Sequence, residues 1–414
     1  LLQARGFARI ILLDTPKTAE AQINLRHLQA MGADIEAVPD ELLEDEYDAV
    51  VDALFGTGFT GSIAADSPAG QLLTWANTCG PMLSIDVPSG MDAATGAVEG
   101  VCARAIWTVT FHRPKPGLYL TERRDCVGEI TVAPIGLPRE LDPQGGLLVN
   151  EEGDLHTLLP DRPASAHKGD CGRTVIYAGS LGMAGAAMMA ARAALHAGAG
   201  LTTVICPRAA MPVLQQEVPN ATCLAAEDQP TPKCDALLMG CGIAENDDTY
   251  ADMMRLKATD AYQVWDAGAL NLLAGHPQQL GARAVITPHA GEAARLLGWE
   301  IPAVLADKLG AAEALRAKYG CNVVLKSAVT VMLTADGQQC ALNAVGSPAL
   351  AKGGSGDALA GILASLLGQG LPMLDAMRAA CLWLGLAGIA AGKRCGVRAA
   401  LTGDVIDSLG ACEG

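Results

Sequence analysis

Short apolar runs alternate with helical stretches twice along this chain, and this pattern limits the fold more than any other feature. In the first part, strand-like runs occupy residues 8–14, 48–55, 82–87, 105–111 and 129–133, and a helical pattern covers residues 17–31. In the second part, strand-like runs occupy residues 174–179, 201–206, 236–239, 263–266, 284–287 and 322–326, and helical patterns cover residues 184–197, 357–367 and 374–391. Continuous apolar runs of this length are typical of parallel strands buried on both faces. The alternation therefore predicts an α/β fold.

The length of the chain, 414 residues, exceeds what one hydrophobic core usually holds, so two domains are expected. Residues 137–165 differ from their surroundings because Pro138, Gly145, Pro160 and Pro163 interrupt regular structure there. We place the boundary in this segment and predict domains at residues 1–137 and 138–414.

Composition excludes several classes of function. The formal net charge of −16 argues against nucleic acid as a partner, because nucleic-acid binding needs Lys and Arg opposite phosphates. The 13 cysteines include no C-x-x-C pair, which predicts reduced thiols without a disulfide framework or zinc site. No run of about 18 purely apolar residues occurs, so no membrane span is predicted. We therefore expect a cytoplasmic protein.

The sharpest motif is KGGSGD at residues 352–357, which is followed by an apolar helical pattern. Gly353, Gly354 and Gly356 allow the backbone N–H groups to approach an anion closely, and the helix adds the positive end of its dipole. Asp357 falls in the first turn, where its carboxylate can reach a ligand above the loop. The alternative is an ordinary glycine-rich turn in which Asp357 is only the N-cap.

Three further motifs lie at predicted strand ends, where open α/β sheets bind ligands. VITPHAGEAARLL at residues 285–297 places His289 between a strand and a helix. GSLGMAGAA at residues 179–187 is a glycine-rich turn before a small-residue helix, and LKSAVT at residues 325–330 ends a strand with Lys326. Taken singly, a histidine is more often structural and a strand-end lysine is more often a surface charge.

Six segments in order (HKGDCGR, AGSLGMAGAAMMAARAALHAGAGL, WDAGALN, ITPHAGEAARLLG, LKSAVTV and KGGSGDALAGILASLLGQG) closely resemble the ADP/ATP-dependent NAD(P)H-hydrate dehydratase family. The resemblance implies a ribokinase-like α/β domain, ADP or ATP with Mg²⁺, hydrated NADH or NADPH as substrate, and a homo-oligomer. It implies that the hydrated dinucleotide contacts Ala186, Gly242, His289 and Asp357. It also implies that the nucleotide contacts Lys326, Ser327, Ala328, Val329, Thr330 and Gly356.

The first domain resembles the NAD(P)H-hydrate epimerase family through VDALFGTG at residues 51–58, SIDVPSGMD at residues 84–92 and TFHRPKPG at residues 110–117. This resemblance implies a Rossmann-like three-layer α/β/α domain in which Asp52 and Ser89 ligate K⁺ and Asp86 is catalytic and contacts the substrate near the reacting carbon. The remaining implied substrate residues are Gly56, Thr57, Gly58, Phe59, Thr60, Gly61 and Ser62.

The chemistry of dehydration suggests a role for Asp357. A hydroxyl beside a ring nitrogen leaves as water once it is protonated, and a general acid typically contributes about 10²–10⁴-fold. We hypothesise that Asp357 handles this proton. The loop at residues 326–330 lacks two glycines that the family carries, which predicts strain wherever φ is positive. Gly268 stands where the family often has Asp.

The N-terminal end departs from the epimerase pattern. The family's Asn-Asn-Gly-Gly-Asp loop is absent, and residues 1–6 resemble the end of a helix, so this domain is expected to be incomplete. One alternative is therefore a first domain that is a non-catalytic scaffold. A second alternative, a ribokinase-like small-molecule kinase, is left open because the KGGSGD loop alone would also allow it.

Overall fold

A computed structural model describes residues 9–38, 46–141, 146–159 and 161–413, and the backbone but not the side chain of Arg139. It divides into two compact units, Leu1–Asp142 and Pro143–Gly414. The division at residue 142 lies five residues beyond the boundary predicted from the sequence. The expected helix end at residues 1–6 falls outside the described residues.

Unit 1 is a Rossmann-like α/β unit. Its elements are β1 (Arg9–Leu12), α1 (Ala19–Ala30), β2 (Asp34–Ala37), β3 (Val50–Asp52), β4 (Ser62–Ile63), α2 (Pro68–Ala76), β5 (Met82–Ile85), β6 (Glu99–Gly100), β7 (Trp107–Phe111), α3 (Pro116–Leu120) and β8 (Glu129–Ala133). Strands β3-β5-β7-β8 form a parallel sheet in that order, and β1 pairs in parallel with β2. Parallel pairing brings the carboxyl ends of β3 and β5 to one edge of the sheet.

Unit 2 is larger. Its strands are β9 (Leu147–Val149), β10 (Arg173–Tyr177), β11 (Leu201–Cys206), β12 (Thr222–Ala225), β13 (Ala236–Met239), β14 (Tyr262–Trp265), β15 (Ala284–Ile286), β16 (Asn322–Leu325), β17 (Thr330–Leu333) and β18 (Cys340–Asn343). Its helices are α4 (Leu155–Leu158), α5 (Ala184–His196), α6 (Met211–Glu217), α7 (Asp247–Lys257), α8 (Gly268–Gly275), α9 (Ala290–Leu297), α10 (Ile301–Ala306), α11 (Lys308–Tyr319), α12 (Ser355–Gly368), α13 (Met373–Cys395) and α14 (Thr402–Asp407).

The ten strands of unit 2 form one sheet in the order β12-β11-β10-β13-β14-β15-β16-β17-β18-β9. The first seven strands in this order are parallel, and β17 is antiparallel to both neighbours. The prediction that residues 137–165 contain no regular element was wrong, because β9 pairs in parallel with β18 at the sheet edge. Asn150 fixes this pairing through a 3.1 Å hydrogen bond from its Nδ2 to Asn343 Oδ1.

Close helix packing over the sheet explains the small residues in α5. A Cβ added at Gly361 of α12 would lie 2.2 Å from the carbonyl oxygen of Ala190 in α5, so only glycine permits this approach. Within the described ranges, only α13 is long and apolar enough to cross a membrane by length and composition alone. However, 67% of its most apolar 18-residue window is buried within the protein, which is the environment of a core helix.

Candidate functional site

The strand order of unit 2 reverses between β10 and β13, because the chain proceeds outward from β10 to β12 on one side and from β13 onward on the other. Open α/β sheets bind ligands outside the carboxyl ends of the strands at such a switch point. The loops that follow the two strands are joined there by a 2.8 Å hydrogen bond from Gly179 N to the carbonyl of Cys241. Ser180 Oγ also donates to the carbonyl of Gly242 at 2.8 Å.

Two of the predicted substrate residues meet at this point. Gly242 has φ +66°, and a Cβ added there would lie 2.8 Å from Ala186 Cβ in the first turn of α5. The backbone conformation and the narrow gap both require glycine. Ala186 and Gly242 therefore lie side by side at the switch point.

Acidic side chains converge on the start of α12. The Sγ of Cys241 and one carboxylate oxygen each of Asp266 and Asp357 lie within 4.8 Å of one another. Cys241 follows β13, Asp266 follows β14, and Asp357 lies in the first turn of α12. Glu292, in the first turn of α9, lies nearby, with its Oε2 4.0 Å from Lys326 Nζ. We call Asp266, Glu292 and Asp357 the acidic cluster.

Lys326 supplies the positive charge at this cluster. Its Nζ donates to Asp266 Oδ1 at 2.7 Å and lies 3.2 Å from where a Cβ on Gly356 would be. Burial alone would lower the pKa of Lys326, but the charges of Asp266 and Glu292 outweigh that effect and raise its pKa. The alternative that Lys326 is an ordinary surface charge is wrong, since its side chain is only 18% exposed.

Asp357 occupies a different environment from the other two carboxylates. Burial, followed by the charge of Asp266, raises the pKa of Asp357 to about 6, although the Cys241 thiol and Lys326 act against this rise. Burial and the charges of Asp357 and Asp266 raise the pKa of Cys241 well above its ordinary value, so this thiol remains protonated. The N-cap of α12 is Gly354 with φ +96°, so the alternative that Asp357 is only an N-cap is wrong.

Asp266 is held by both its side chain and its backbone. Thr287 Oγ1 donates to Asp266 Oδ1 at 2.7 Å, beside the contact from Lys326. The next residue, Ala267, has φ +48° and ψ −119°, an unfavourable conformation for a residue with a Cβ. Strain of this kind costs about 1–3 kcal/mol and persists only where the surroundings fix it.

His289 is the N-cap of α9. Its Nδ1 accepts from Gly291 N at 3.0 Å and from Glu292 N at 3.3 Å, while Glu292 Oε2 accepts from His289 N at 2.8 Å. This capping box stabilises the helix start. The side chain is 60% exposed and its Nε2 lies 3.6 Å from Glu292 Oε1, so the imidazole remains accessible to a ligand from the solvent side.

The loop of Ser327, Ala328 and Val329 joins β16 to β17. The expected strain is absent, because the only non-glycine residues with positive φ in the described ranges are Asp86, His112, Gln229 and Ala267. The loop is instead closed by hydrogen bonds from Ser327 Oγ to the carbonyl of Val329 and from Thr330 Oγ1 to the carbonyl of Ser327. Val329 and Thr330 are buried, and Ala328 is exposed.

Unit 1 contains a second candidate site around Asp86. This residue was predicted within a strand, but β5 ends at Ile85 and Asp86 has φ +72°. Its Oδ1 accepts from Lys115 Nζ and, at 3.2 Å, from Thr110 Oγ1. A Cβ added at Gly56 would lie 3.5 Å from Asp86 Oδ2, so the predicted substrate loop begins beside this carboxylate.

The remainder of that loop is largely open. Phe59 N donates to the carbonyl of Gly56 at 3.0 Å, and the rings of Phe55 and Phe59 lie 5.2 Å apart. The other loop residues are exposed: Thr57, Gly58, Thr60, Gly61 and Ser62.

Asp52 and Ser89, the predicted K⁺ ligands, are in direct contact. Asp52 Oδ1 accepts from Ser89 Oγ at 2.5 Å, while Oδ2 accepts from Ser89 N at 2.9 Å and from Ser84 Oγ at 2.8 Å. The carbonyl of Phe55 lies 3.4 Å from Ser89 Oγ. The set consists of carboxylate, hydroxyl and carbonyl oxygens, the hard donors that suit an alkali cation.

Sequence reasoning missed Cys241, Asp266, Glu292 and Lys115. Asp266 and Lys115 lie inside recognised segments, WDAGALN and TFHRPKPG. For Asp266 the available signal was a polar residue directly after a buried strand, and for Lys115 it was membership of the recognised segment alone. The role of Glu292 could have been inferred from the capping-box spacing after His289. Nothing in the sequence pattern singles out Cys241.

Comparisons with known proteins agree with this geometry. The family described as NAD(P)H-hydrate dehydratase matches residues 174–409, and the family described as YjeF-related protein N-terminus matches residues 2–117. The chain is similar to a ribokinase-like superfamily protein from Enterococcus faecalis, at 27% identity and a TM-score of 0.59, covering 66% of this chain and 96% of that one. It is also similar to the ADP/ATP-dependent NAD(P)H-hydrate dehydratase from Bacillus subtilis co-crystallised with ATP/Mg²⁺, at 25% identity and a TM-score of 0.58, covering 64% and 97%.

Relatives that match both units give the family. The bifunctional NAD(P)H-hydrate repair enzyme of Moorella thermoacetica is 34% identical over 99% of this chain and 82% of its own length. The enzyme of the same name from Escherichia coli is 36% identical over 96% of this chain and 77% of its own length. Unit 2 is thus a ribokinase-like α/β unit with a carboxylate site at its switch point. The chain belongs to the family of bifunctional NAD(P)H-hydrate repair enzymes.

Proposed function

We propose that unit 2 catalyses the ADP- or ATP-dependent dehydration of the S-form of hydrated NADH or NADPH, with Asp357 as the proton-transfer group. The observation that carries this proposal is the placement of the Asp357 carboxyl group in the first turn of α12, within 4.8 Å of the Cys241 and Asp266 side chains beside the switch point. Burial there raises its pKa to about 6. General acids work best when their pKa lies near the operating pH.

The proton balance of the reaction suits this group. The ring nitrogen lone pair expels the hydroxyl, which takes a proton from Asp357 and leaves as water. The ring is then an iminium ion, and it returns to the dihydropyridine when the adjacent carbon loses a proton. Asp357, now a carboxylate, can accept that proton, so one residue closes the cycle without an oxidant or reductant.

The start of α12 supports nucleotide binding. Its first N–H groups lack partners within the helix, and a helix N-terminus favours anions. Lys326 Nζ lies against Gly356, and the loop of Ser327 to Thr330 begins at the same lysine. We propose that the nucleotide phosphates bind here with Mg²⁺, which would supply positive charge against the phosphates. His289, Ala186 and Gly242 would then line the hydrated nicotinamide nucleotide.

For unit 1 we propose epimerisation of the R- and S-forms at Asp86. Inversion of a carbon that carries a hydroxyl beside a ring nitrogen requires that its C–O bond or its ring C–N bond break and then re-form on the opposite face. Either path needs a group that exchanges a proton with the hydroxyl. The pair of Asp86 and Lys115 offers a carboxylate and an ammonium group next to the Gly56 loop. A K⁺ ion held by Asp52 and Ser89 would supply positive charge at the end of β3.

The direct test follows the near-ultraviolet absorbance of the dihydropyridine after adding pure S-form NADH hydrate, with and without ADP. We expect a rise that depends on ADP. No rise would contradict the dehydratase, and phosphate transfer from ATP to an alcohol would support a kinase instead. Adding the R-form next, against its spontaneous rate, tests the epimerase. A rate equal to the spontaneous one would favour a scaffold role for unit 1.

A further inference from the structure

The acidic cluster brings three carboxyl groups close to the ammonium group of Lys326. Asp266, Glu292 and Asp357 provide up to three carboxylates, and Lys326 provides the ammonium group among them. Like charges held this close do not all ionise together, so a proton on one carboxylate relieves the repulsion. The hydrogen bonds of each carboxylate determine which of them holds that proton.

Two members of the cluster have strong donors. Asp266 Oδ1 accepts from Lys326 Nζ and from Thr287 Oγ1, each at 2.7 Å. Glu292 Oε2 accepts from His289 N at 2.8 Å. Hydrogen bonds to the charged form favour ionisation. Asp357 has the Cys241 thiol as its hydrogen-bond partner, and a thiol is a weak donor, so the proton belongs on Asp357.

We propose that Asp266 is a positioning residue for the dehydration: its carboxylate, fixed by Lys326 and Thr287, keeps a proton on Asp357, so that Asp357 enters each turnover as an acid. This inference rests on the proposed function of unit 2. Both hydrogen bonds fall on Oδ1, and Oδ2 lies toward α12, 3.9 Å from where a Cβ on Gly356 would be. The negative charge of Asp266 is thereby held beside the start of the helix that carries Asp357.

The backbone around Asp266 holds its carboxylate in one orientation, toward α12, as the proposed role requires. Ala267 keeps the strained φ of +48°, and the carbonyl of Asp266 lies 1.7 Å from where a Cβ on Gly240 would be. A small rotation at this point would turn the carboxylate away from α12. The pKa of Asp357, about 6 because of burial and then the charge of Asp266, agrees with the geometry.

The charged and titratable groups around Asp357 come from several elements. Asp266 follows β14, Lys326 follows β16, Cys241 follows β13 and Glu292 belongs to α9. From α13, Cys381 lies close enough to Lys326 for that charge to affect its pKa, which burial raises to about 12. Arg192 of α5 and Asp407 of α14 pair with each other at 2.7 Å, beside the cavity next to Gly353.

The test is the pH dependence of kcat/KM for S-form NADH hydrate at saturating ADP, in wild type and in Asp266→Asn. Activity that requires protonated Asp357 falls as the pH rises through its pKa. Removal of the Asp266 charge lowers that pKa, so the fall should move about one unit to lower pH, a loss of about tenfold at alkaline pH. On the acidic side the two enzymes should approach each other.

The matched control is Asp336→Asn, which removes a carboxylate from the exposed turn between β17 and β18 and should keep the wild-type pH profile. A purely structural role for Asp266 would lower the rate equally at every pH. If Asp266→Asn does not fold, Glu292→Gln decides the question, because glutamine can keep the capping box while the charge is lost. Its expected shift has the same direction and is smaller, since Glu292 is the weaker influence on Asp357.

An Asp266→Asn profile that superimposes on the wild-type profile would overturn the inference. An inactive wild type would instead contradict the proposed function. In that case the inference is decided by NMR titration of ¹³C-labelled aspartate carboxyls, with the Asp357 signal assigned from Asp357→Asn. An equal Asp357 titration midpoint in wild type and Asp266→Asn would then overturn it.

Discussion

The two candidate sites both place an aspartate just beyond a parallel sheet, but they balance its charge differently. In unit 1, Asp86 pairs with one lysine, Lys115, and both side chains are less than one-fifth exposed. In unit 2, Lys326 forms its ion pair with Asp266. The close neighbours of Asp357 are therefore the thiol of Cys241 and the negative charge of Asp266. A one-to-one pair favours an ionised carboxylate, whereas a surplus of carboxylates favours a protonated one. The number and placement of the lysines thus decide which charges lie beside each aspartate.

The largest expected effect is on Asp357, which supplies the proton in the proposed dehydration mechanism. Asp357→Asn should lower kcat for S-form NADH hydrate by about 10²–10⁴-fold, because the amide cannot donate the proton. ADP affinity, measured by calorimetry, should change little. Asp336→Asn is the control for a lost carboxylate. Retained turnover together with lost ADP binding would show that Asp357 serves the nucleotide instead.

The corresponding substitution in unit 1, Asp86→Asn, tests whether the pair of Asp86 and Lys115 transfers a proton during epimerisation. Asp86→Asn should slow interconversion of the R- and S-forms by about 10²-fold. Dehydration of the S-form should remain, because none of the unit 2 site residues is altered. The control is Asp66→Asn, an exposed carboxylate of the same unit. If Asp86→Asn interconverts the two forms at the wild-type rate, the pair has no role in epimerisation.

Substitution of the two aspartates by asparagine should change the free energy of unfolding in opposite directions. The pKa of Asp357 is raised from 3.8 to about 6, so its contribution to stability is present below pH 3.8 and is lost as the pH rises through 6. Relative to wild type, the unfolding free energy of Asp357→Asn should therefore rise by about 3 kcal/mol between acidic and alkaline pH. Asp86→Asn should lose stability instead, because Lys115 then has no carboxylate partner at Asp86. Urea unfolding of wild type and of both variants, at one acidic and one alkaline pH, measures these free energies. Equal effects of the two substitutions would contradict the proposed difference between the two sites.

The smallest effect concerns the fit of Lys326 against α12. In Gly356→Ala the added Cβ would lie 3.2 Å from Lys326 Nζ, so the ammonium group must shift by a few tenths of an ångström. We expect ADP affinity to fall about threefold to tenfold, the effect of about 1 kcal/mol of overpacking. Gly353→Ala is the matched control in the same loop, where a Cβ meets nothing within 4 Å. Equal affinities in the two variants would mean that the contact with Lys326 is unimportant.

Much of the fold could be predicted because buried parallel strands are continuous apolar runs. Strands β8, β11 and β13 have the predicted bounds. Strands β15 and β16 end one residue early, and β10 and β14 differ by one or two residues at both ends. The edge strand β9 was missed because it has three residues and pairs with β18, almost 200 residues later. Strands β12, β17 and β18 were also missed. A short edge strand depends on its partner more than on its own sequence.

Local motifs are enough to predict candidate site residues at the loops, because the glycines before α12, Asp357, His289 and Lys326 lie in segments whose spacing is fixed by the chain. How these residues share charge depends on the folded arrangement of the chain. Cys241, Asp266 and Glu292 come from separate strand–helix loops, and their effect on Asp357 depends on distances set by the order of strands in the sheet. Electrostatic interaction depends on separation and burial, which are properties of the folded chain, so the location of the proton could not be inferred from the sequence pattern.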